Sequence, residues 1–240
     1  MASLADAIES RLRELGTPHR AEGEKAYLKS DLEFLGTMVR DIRATVREFA
    51  PRMGRDELLA TAIELWTPPV HERRQAAIFL LARSARDLRT DDLPLLERFA
   101  RESRTWALLD YLAGDVLGPI VEADPHHLHL ELDRWSTDDD FWVRRASLLA
   151  ELRPLRHGAP LDRFLARADR MLDEREFFIR KAIGWVLREA GKRRPSEVLA
   201  WLAPRTHRAS GVTVREAVKH LPSADAARLM AAYRARIPAG

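Results

Sequence analysis

Apolar residues recur every three or four positions along nearly the whole chain, and no segment shows the strict alternation of a β-strand. Glycine and proline fall between these periodic segments, for example at Gly16-Thr17-Pro18 and Gly118-Pro119. Both residue types interrupt helices, so the pattern predicts about a dozen short helices separated by tight turns. The expected fold class is all-α.

Six short segments of similar sequence recur at nearly constant spacing. Their last residues are 34, 34, 36, 36 and 35 positions apart: Ile42, Ala76, Asp110, Ala146, Ala182 and Ala217. Such a period, built from two helices per unit, is the signature of a helical solenoid. The order aromatic, Arg, Ala is typical of the second helix of a HEAT-like repeat, and the Gly and Tyr pattern of TPR repeats is missing. We therefore expect residues 1–240 to form one domain, a right- or left-curved α-solenoid of about six HEAT-like repeats with a basic concave face.

Composition narrows the function classes. The chain has 240 residues and no cysteine, which excludes disulfides, thiol catalysis and cysteine-ligated metals and fits a reducing cytoplasm. Net charge is only +3, but 35 of the 40 basic residues are arginine, whose planar fork suits phosphate. The alternative is that most arginines pair with the 37 acidic residues on helix surfaces. Charge alone leaves both interpretations open.

One segment breaks the repeat. Asp110 stands where the other five copies carry Ile or Ala, and a carboxylate buried at such a position must be compensated. Trp106 lies four residues earlier, on the same face of the predicted helix. An indole face next to a carboxylate is a receptor for a cation. In the adjacent copy, Arg144 and Arg145 are both candidates to pair with Asp110 and keep it ionised.

The other tryptophans divide into two groups. Trp66, Trp135 and Trp201 lie near predicted helix ends and are expected in the core or at an interface. Trp185 follows Gly184, and because glycine inside a helix is costly, this pair indicates a close backbone contact. Trp185 as a plain core ring is the alternative.

Four longer segments carry a family resemblance that spans most of the chain. They cover residues 27–36, 105–110, 141–146 and 176–189, with a weaker fifth at 215–219. The fourth, which contains Phe-Phe-Ile-Arg-Lys-Ala-Ile-Gly-Trp-Val-Leu-Arg-Glu, is the most specific. On these segments the chain resembles the AlkD-type alkylpurine DNA glycosylases, also called the DNA alkylation repair enzyme family.

The resemblance implies an enzyme that hydrolyses the N-glycosidic bond of N3- or N7-alkylated purines in duplex DNA. It implies that Trp106, Asp110 and Trp185 act at the lesion, with Arg144 or Arg145 supporting the aspartate and Tyr27 close by. It also implies that the lesion stays stacked, so that no deep base pocket is needed. Tyr111 departs from the small residue expected after the aspartate, which leaves the size of the accepted adduct open.

The expected DNA contacts come from basic and aromatic side chains along the repeat. Besides Arg144 and Arg145, they are Tyr27, Lys29, Arg40, Arg74, Trp142, Arg180, Lys181, Arg188, Lys192, Arg193, Arg215 and Lys219. Lys192 and Arg193 begin a basic run before Pro195 that is suited to clamp a phosphate. We expect a cytoplasmic monomer that needs no cofactor and no metal and that associates with the nucleoid when bound to DNA.

Several alternatives remain at this point. His126, His127 and His129 invite a metal site, but no carboxylate completes a helical ligand pattern, so a solvated first turn is the simpler interpretation. A basic solenoid could also bind distorted or branched DNA without catalysis, or act as a protein scaffold. Within the enzyme class, Tyr111 is compatible with a self-resistance glycosylase for bulky N7 adducts.

Overall fold

The computed structural model of the chain describes residues 3–50 and 53–235. Within these ranges there is no β-strand, and one isolated bridge joins Glu33 to Val70. The helices are α1 Leu4–Leu15, α2 Pro18–Leu28, α3 Val39–Phe49, α4 Arg55–Trp66, α5 His71–Arg83, α6 Leu93–Ser103, α7 Trp106–Tyr111, α8 Gly118–Ala123, α9 Pro125–Trp135, α10 Phe141–Leu149, α11 Leu152–Arg156, α12 Asp162–Arg170, α13 Phe177–Gly191, α14 Pro195–Leu202, α15 Gly211–Ala217 and α16 Ser223–Ala235. A π-helical segment covers Leu112–Leu117, and 3₁₀ turns cover Thr90–Asp92, Ala203–Arg205 and Val218–His220.

Short polar side chains start several of these helices. Ser3 forms a capping box with Asp6 before α1, and the Asp140 carboxylate accepts a hydrogen bond from the backbone N–H of Trp142 at the start of α10. Ser210 caps α15 in the same way. A side-chain oxygen at this position satisfies a backbone donor that has no partner within its own helix. Helix starts are thus fixed locally, by residues next to them in the sequence.

The chain divides into two compact units, residues 1–123 and 124–240. In the first unit α5 is the central element, because it packs against α3, α4 and α7 and every residue from His71 to Leu81 is buried. Trp66 stacks on Phe99 in this core, with 4.0 Å between ring centroids. The second unit is built around α13, which packs against α10, α11, α14 and α15. That the two units act as one domain stays a prediction.

The repeat register agrees with the structure. Its six end positions lie in α3, α5, α7, α10, α13 and α15, and each successive pair of these helices is separated by one or more others. Ile42, Ala76, Ala146, Ala182 and Ala217 are all completely buried. Asp110 is half-buried, so the one repeat segment that ends in a polar residue is also the one whose end residue is not fully buried. The all-α class and the succession of HEAT-like helix pairs are confirmed, and the basic concave face stays a prediction.

Of the two places expected for Trp66, Trp135 and Trp201, the structure shows the core. Trp66 and Trp135 are fully buried, and Trp201 is 8% exposed. None of the described helices is long and apolar enough to cross a membrane.

Candidate active site

Helix α7 carries the unusual pair Trp106 and Asp110. The hydroxyl of Thr105 accepts a hydrogen bond from the backbone N–H of Ala107, which starts the helix at Trp106. Trp106 and Asp110 are four residues apart and half-buried, so they share one face. Leu108 and Leu109 between them are completely buried. These two leucines, which replace the basic residues of other copies, anchor α7 and leave the tryptophan and the carboxylate at the surface.

The helix changes its winding directly after this pair. The backbone N–H of Leu112 donates to the carbonyls of both Leu108 and Leu109, and residues Leu112–Leu117 then form a π-helix. Such segments are rare and frequently mark functional sites. No sequence signal pointed to it. Asp110 and Tyr111 are the last residues before the wider turn.

Tyr27 lies beside Trp106, as the resemblance implied. Their rings meet edge to face, with centroids 6.1 Å apart and an angle of 85° between the planes. Tyr27 is 73% exposed, which is far more than a packed aromatic ring requires. Helix α2 ends just beyond it, because Lys29 adopts a left-handed conformation with φ of 50°. The turn leaves the Tyr27 ring projecting next to the indole.

A cleft of about 200 Å³ opens between these aromatic rings within the first unit. Its lining residues include Tyr27, Thr37, His71, Gln75, Trp106 and Tyr111. Tyr111 is held edge-on against Phe79 at 5.2 Å, and the Arg43 guanidinium lies 4.0 Å from the Phe79 centroid and 5.2 Å from that of Tyr111. Tyr111, which stands where the resemblance implies a small residue, is therefore held in place as part of the cleft wall.

A buried carboxylate holds the loop that forms another part of the wall. Glu72, at the start of α5, is completely buried and accepts hydrogen bonds from three consecutive backbone N–H groups, those of Leu35 (3.0 Å), Gly36 (2.7 Å) and Thr37 (3.2 Å). Burial raises the pKa of Glu72, although these backbone bonds oppose the shift. Sequence reasoning missed this role, because nothing near Glu72 in the chain indicates a partner more than 30 positions away.

His71 is another of the residues that line the cleft. Its ring stacks on Phe34, with centroids 4.6 Å apart and planes within 14°, and the residue is 5% exposed. Neither ring nitrogen has a hydrogen-bond partner within the described parts of the chain. Burial lowers the pKa of His71 to about 4, with a further contribution from the positive charge of Arg74, so the imidazole is neutral near pH 7.

In the second unit, Trp185 lies on α13 and is half-buried, so its ring is not fully enclosed in the core. The predicted close contact at Gly184 is confirmed. A Cβ atom added there would lie 2.7 Å from the Cβ of Glu216 and 2.9 Å from the carbonyl oxygen of Thr213, both on α15. Glycine at this position lets α13 and α15 pack in direct contact. The role of Trp185 at a lesion stays a prediction from the resemblance.

The two arginine candidates differ in their surroundings. Arg144 donates to both oxygens of Glu174, at 3.0 and 2.9 Å, and to the carbonyls of Asp138 and Asp139. These bonds commit most of its donors to the turn before α10. Pairing of Arg144 with Asp110 or with a phosphate stays a prediction. Arg145 is 3% exposed and donates to the carbonyl of Phe178 at 2.5 Å. Its support of Asp110 stays a prediction.

Three of the predicted DNA-contacting cations share one carboxylate. Lys181, Arg188 and Lys219 lie 2.6 to 2.7 Å from the oxygens of Glu216, whose side chain is 8% exposed. Burial alone would raise the pKa of Glu216, but hydrogen bonds and attraction from the two lysines outweigh it and lower the pKa to about 2. The cluster carries a net positive charge, and its lysines remain accessible. Glu216 is a further residue that sequence reasoning missed.

Two of the predicted DNA-contacting side chains are largely enclosed within the protein. Arg74 is 8% exposed and donates to the carbonyls of Trp66 (3.2 Å) and Glu102 (2.5 Å). Trp142 is 9% exposed and packs against Phe141 and Phe178, at centroid distances of 4.5 and 5.0 Å. Contact of either side chain with DNA stays a prediction.

The remaining predicted contacts are accessible to different degrees. Arg180 is half-buried and donates to the carbonyl of Glu174 at 2.6 Å. The exposed side chains among these remaining contacts are Lys29, Arg40, Lys192, Arg193 and Arg215. Within the described residues no group of three His, Cys, Asp or Glu side chains could hold a metal ion. His127 instead contacts the Asp124 carboxylate, at 2.7 Å.

Comparison with known proteins decides the family. A family model described as DNA alkylation repair enzyme matches residues 8–221, which is most of the chain. The chain belongs to the DNA alkylation repair enzyme family. It is therefore an enzyme of DNA alkylation repair, and its partner is DNA. No curated protein sequence matches it closely enough to compare.

Solved structures show that this member shares its fold with distant proteins. A predicted DNA alkylation repair enzyme from Enterococcus faecalis is 21% identical, with a TM-score of 0.77 over 87% of this chain and 97% of that one. AlkD2 from Streptococcus mutans is 16% identical, with a TM-score of 0.62 over 85% of this chain and 100% of that one. At these identities the likeness shows the all-helical fold alone.

Proposed function

We propose that this member of the DNA alkylation repair enzyme family is a DNA glycosylase that hydrolyses the N-glycosidic bond of cationic N3- or N7-alkylpurines in duplex DNA. The observation that carries the proposal is the placement of Trp106 and Asp110 on one half-exposed helix face beside an aromatic cleft. An indole face and a carboxylate one turn apart suit a reaction in which positive charge moves from a base to a sugar.

The chemistry requires little of the protein beyond electrostatics. Alkylation at N3 or N7 makes the purine cationic, so it departs with the bonding electron pair and becomes neutral. Positive charge then develops on the deoxyribose, as in other glycoside hydrolyses. Asp110 stabilises this charge and takes a proton from the water that adds to the sugar carbon, which leaves a hydroxyl there. The face of Trp106 holds the cationic nucleotide, and the lesion remains stacked while Asp110 reaches the sugar.

Replacement of the carboxylate tests the proposal. We expect Asp110→Asn to release N7-methylguanine from a duplex about 10²- to 10³-fold more slowly than the unaltered protein, because the amide provides neither the negative charge nor the base. DNA affinity, measured separately by fluorescence anisotropy, should change little.

Asp115→Asn is the matched control. Asp115 lies on the same continuous helix and forms a partly exposed ion pair with Arg43 at 3.3 Å, which contributes little to stability. This variant should excise the base normally. If Asp110→Asn excises at the unaltered rate, Asp110 has no part in the mechanism. If the unaltered protein binds the duplex but releases no base above the spontaneous rate, the protein is a non-catalytic DNA binder.

A further inference from the structure

Glu216 is a largely buried carboxylate that the proposed mechanism does not use. Its side chain is 8% exposed, and three cations converge on it. The ammonium groups of Lys181 and Lys219 both donate to its Oε1 atom, at 2.6 and 2.7 Å. The guanidinium of Arg188 donates to Oε2 at 2.7 Å. We call Glu216 and these three side chains the Glu216 cluster.

The packing of α13 against α15 fixes the position of the cluster. Gly184 has no side chain, and a Cβ atom added there would lie 2.7 Å from the Cβ of Glu216. Lys181 is three residues before Gly184 and Arg188 is four residues after it, so both share its face of α13. Trp185 lies between the same two cations and is half-buried. The Glu216 carboxylate therefore joins the two cations that flank Trp185 along the helix.

The charges of the cluster do not balance. Three positive charges face one carboxylate, and both ammonium groups donate to the same oxygen, so they are separated by no more than the two bonds laid end to end. Like charges at such a separation repel each other. A second carboxylate, that of Glu189, lies 3.6 Å from the Nε atom of Arg188. It does not restore the balance, because Lys192 and Arg156 also pair with it, at 2.9 and 3.3 Å.

A second anion would relieve this repulsion, and the cluster has donors left for one. Glu216 accepts one hydrogen bond from each cation, whereas an ammonium group has three N–H donors and a guanidinium has five. The side chains of Lys181 and Lys219 are 39% and 49% exposed. A phosphate accepts several charge-assisted hydrogen bonds at once, and the partner of this family, DNA, carries one phosphate per nucleotide.

We propose that the Glu216 cluster binds a single phosphate of the DNA backbone and that Glu216 is a positioning residue. Its carboxylate holds the three cations at the spacing that one phosphate requires, without touching the DNA. The bound phosphate lies beside Trp185, because Lys181 and Arg188 flank that residue. The inference rests on the proposed function for its relation to the lesion: with Trp185 at the damaged nucleotide, the phosphate belongs to a nucleotide close to it.

Neutralisation of Glu216 tests the inference, because the two possible roles of the carboxylate predict opposite results. A negative charge that merely lies near DNA opposes binding, so its removal should strengthen binding. A positioning role predicts that Glu216→Gln binds an undamaged duplex about tenfold more weakly and that the slope of log K against log[salt] decreases by about 0.9, the value for one lost phosphate contact. Anisotropy titrations at several salt concentrations measure both quantities.

Glu197→Gln is the matched control. It removes the same charge from the exposed first turn of α14 and should bind as tightly as the unaltered protein or more tightly. If Glu216→Gln binds as tightly as this control, the inference is overturned.

A second pair of variants applies if Glu216→Gln does not fold, which its melting temperature shows. Lys219→Gln removes one half-exposed cation and leaves the other two on the carboxylate. It should reduce the salt slope by about 0.9 as well. Arg228→Gln, an exposed arginine of α16 that pairs with Asp225 at 2.7 Å, should leave the slope unchanged. An unchanged slope for Lys219→Gln would then overturn the inference.

Neutral methylphosphonate linkages identify the phosphate. The duplex carries one N7-methylguanine with a 2′-fluoro substituent on its sugar, which opposes positive charge there and so prevents release of the base. Phosphates around this nucleotide are replaced one at a time. We expect one position at which the replacement weakens binding of the unaltered protein about tenfold but weakens Glu216→Gln no further, because both changes remove the same contact. Losses that add in full at every position would overturn the inference.

Failure of the proposed function gives a different result. In that case the unaltered protein releases no base from ordinary N7-methylguanine and does not prefer the damaged duplex, so the replaced phosphates show no dependence on position. The effect of Glu216→Gln on binding to undamaged DNA then decides the inference alone. Weaker binding than the Glu197→Gln control supports it, and equal or tighter binding overturns it.

Discussion

At the scale of single residues, two neighbours at the start of α5 show how position decides the use of a buried polar group. Glu72 is fully buried and satisfied, because three backbone N–H groups converge on its carboxylate. His71 is equally enclosed but has no partner among the described residues. The first group therefore stabilises the fold, and the second lowers its stability.

Glu72→Gln should lower the free energy of unfolding by about 2 kcal/mol, measured by urea denaturation. The amide replaces one acceptor oxygen with an NH₂ group that faces a backbone donor, so at least one buried N–H loses its bond. Glu57→Gln, in the exposed first turn of α4, is the control and should have almost no effect. Equal stability of both variants would show that the three bonds do not hold the loop.

His71 should also make stability depend on pH. Its pKa is about 4 in the folded protein and 6.5 without burial, so below pH 6.5 the unfolded chain binds a proton that the folded protein does not. The free energy of unfolding is not reduced by His71 above pH 6.5, and it should decrease by about 3 kcal/mol as the pH falls to 4.

His71→Phe should remove this decrease, and a pH series of denaturation curves for both proteins measures the difference. Glu216 contributes in a lower window, because its pKa falls from 4.5 to about 2 on folding and its stabilisation is lost as the pH drops through that range. Identical curves between pH 6.5 and 4 for the variant and the unaltered protein would contradict the buried, neutral state of His71.

At the scale of elements, the contact between α13 and α15 depends on the absence of a side chain. Gly184 allows the backbone of α13 to lie against Thr213 and the Cβ of Glu216. The same contact brings Lys181 and Arg188 from α13 to the Glu216 carboxylate. Close packing and charge pairing thus reinforce each other at one helix interface.

Gly184→Ala should destabilise the protein by about 1–3 kcal/mol, because the added methyl group overlaps with α15. The net effect is a loss because the overlap costs more than the roughly 1 kcal/mol that alanine gains over glycine in a helix. Gly23→Ala in α2 is the control, since nothing lies within 4 Å of the added atom and the variant should be as stable or more stable. Thermal unfolding of both variants provides the comparison, and stabilisation by Gly184→Ala would contradict the close contact.

At the scale of the whole molecule, the arginines fall into two groups that the sequence does not distinguish. Some form ion pairs within the protein, as when Arg208 pairs with Asp169 at 3.0 Å and with Asp173 at 2.6 Å. Others, such as Arg215, are exposed. The small net charge of +3 therefore conceals which cations are available to a phosphate backbone.

Arg215→Ala should weaken binding to duplex DNA and reduce the slope of log K against log[salt] by about 0.9, the value for one lost phosphate contact. Anisotropy titrations at several salt concentrations measure both quantities. Arg11→Ala on α1, a partly exposed arginine paired with Glu14, should leave the slope unchanged. An unchanged slope for Arg215→Ala would remove this residue from the DNA-contacting set.

The sequence by itself determined the helices, the repeat positions that lie in the core, the buried tryptophans and the close approach at Gly184. These features follow from local periodicity and from the cost of glycine within a helix, which act between residues close in the chain. The sequence also marked Asp110, because a carboxylate interrupted an apolar register. Its half-exposed position beside Trp106 came from the burial of Leu108 and Leu109.

Only the tertiary structure decided the partners of the polar side chains. Arg74 and Arg215 occupy similar places in the repeat, yet one is enclosed by carbonyls and the other is exposed. Glu72 and His71 are adjacent, yet their surroundings come from a loop more than 30 residues away. Hydrogen bonds and burial depend on neighbours brought together by folding, and periodicity carries no information about those neighbours.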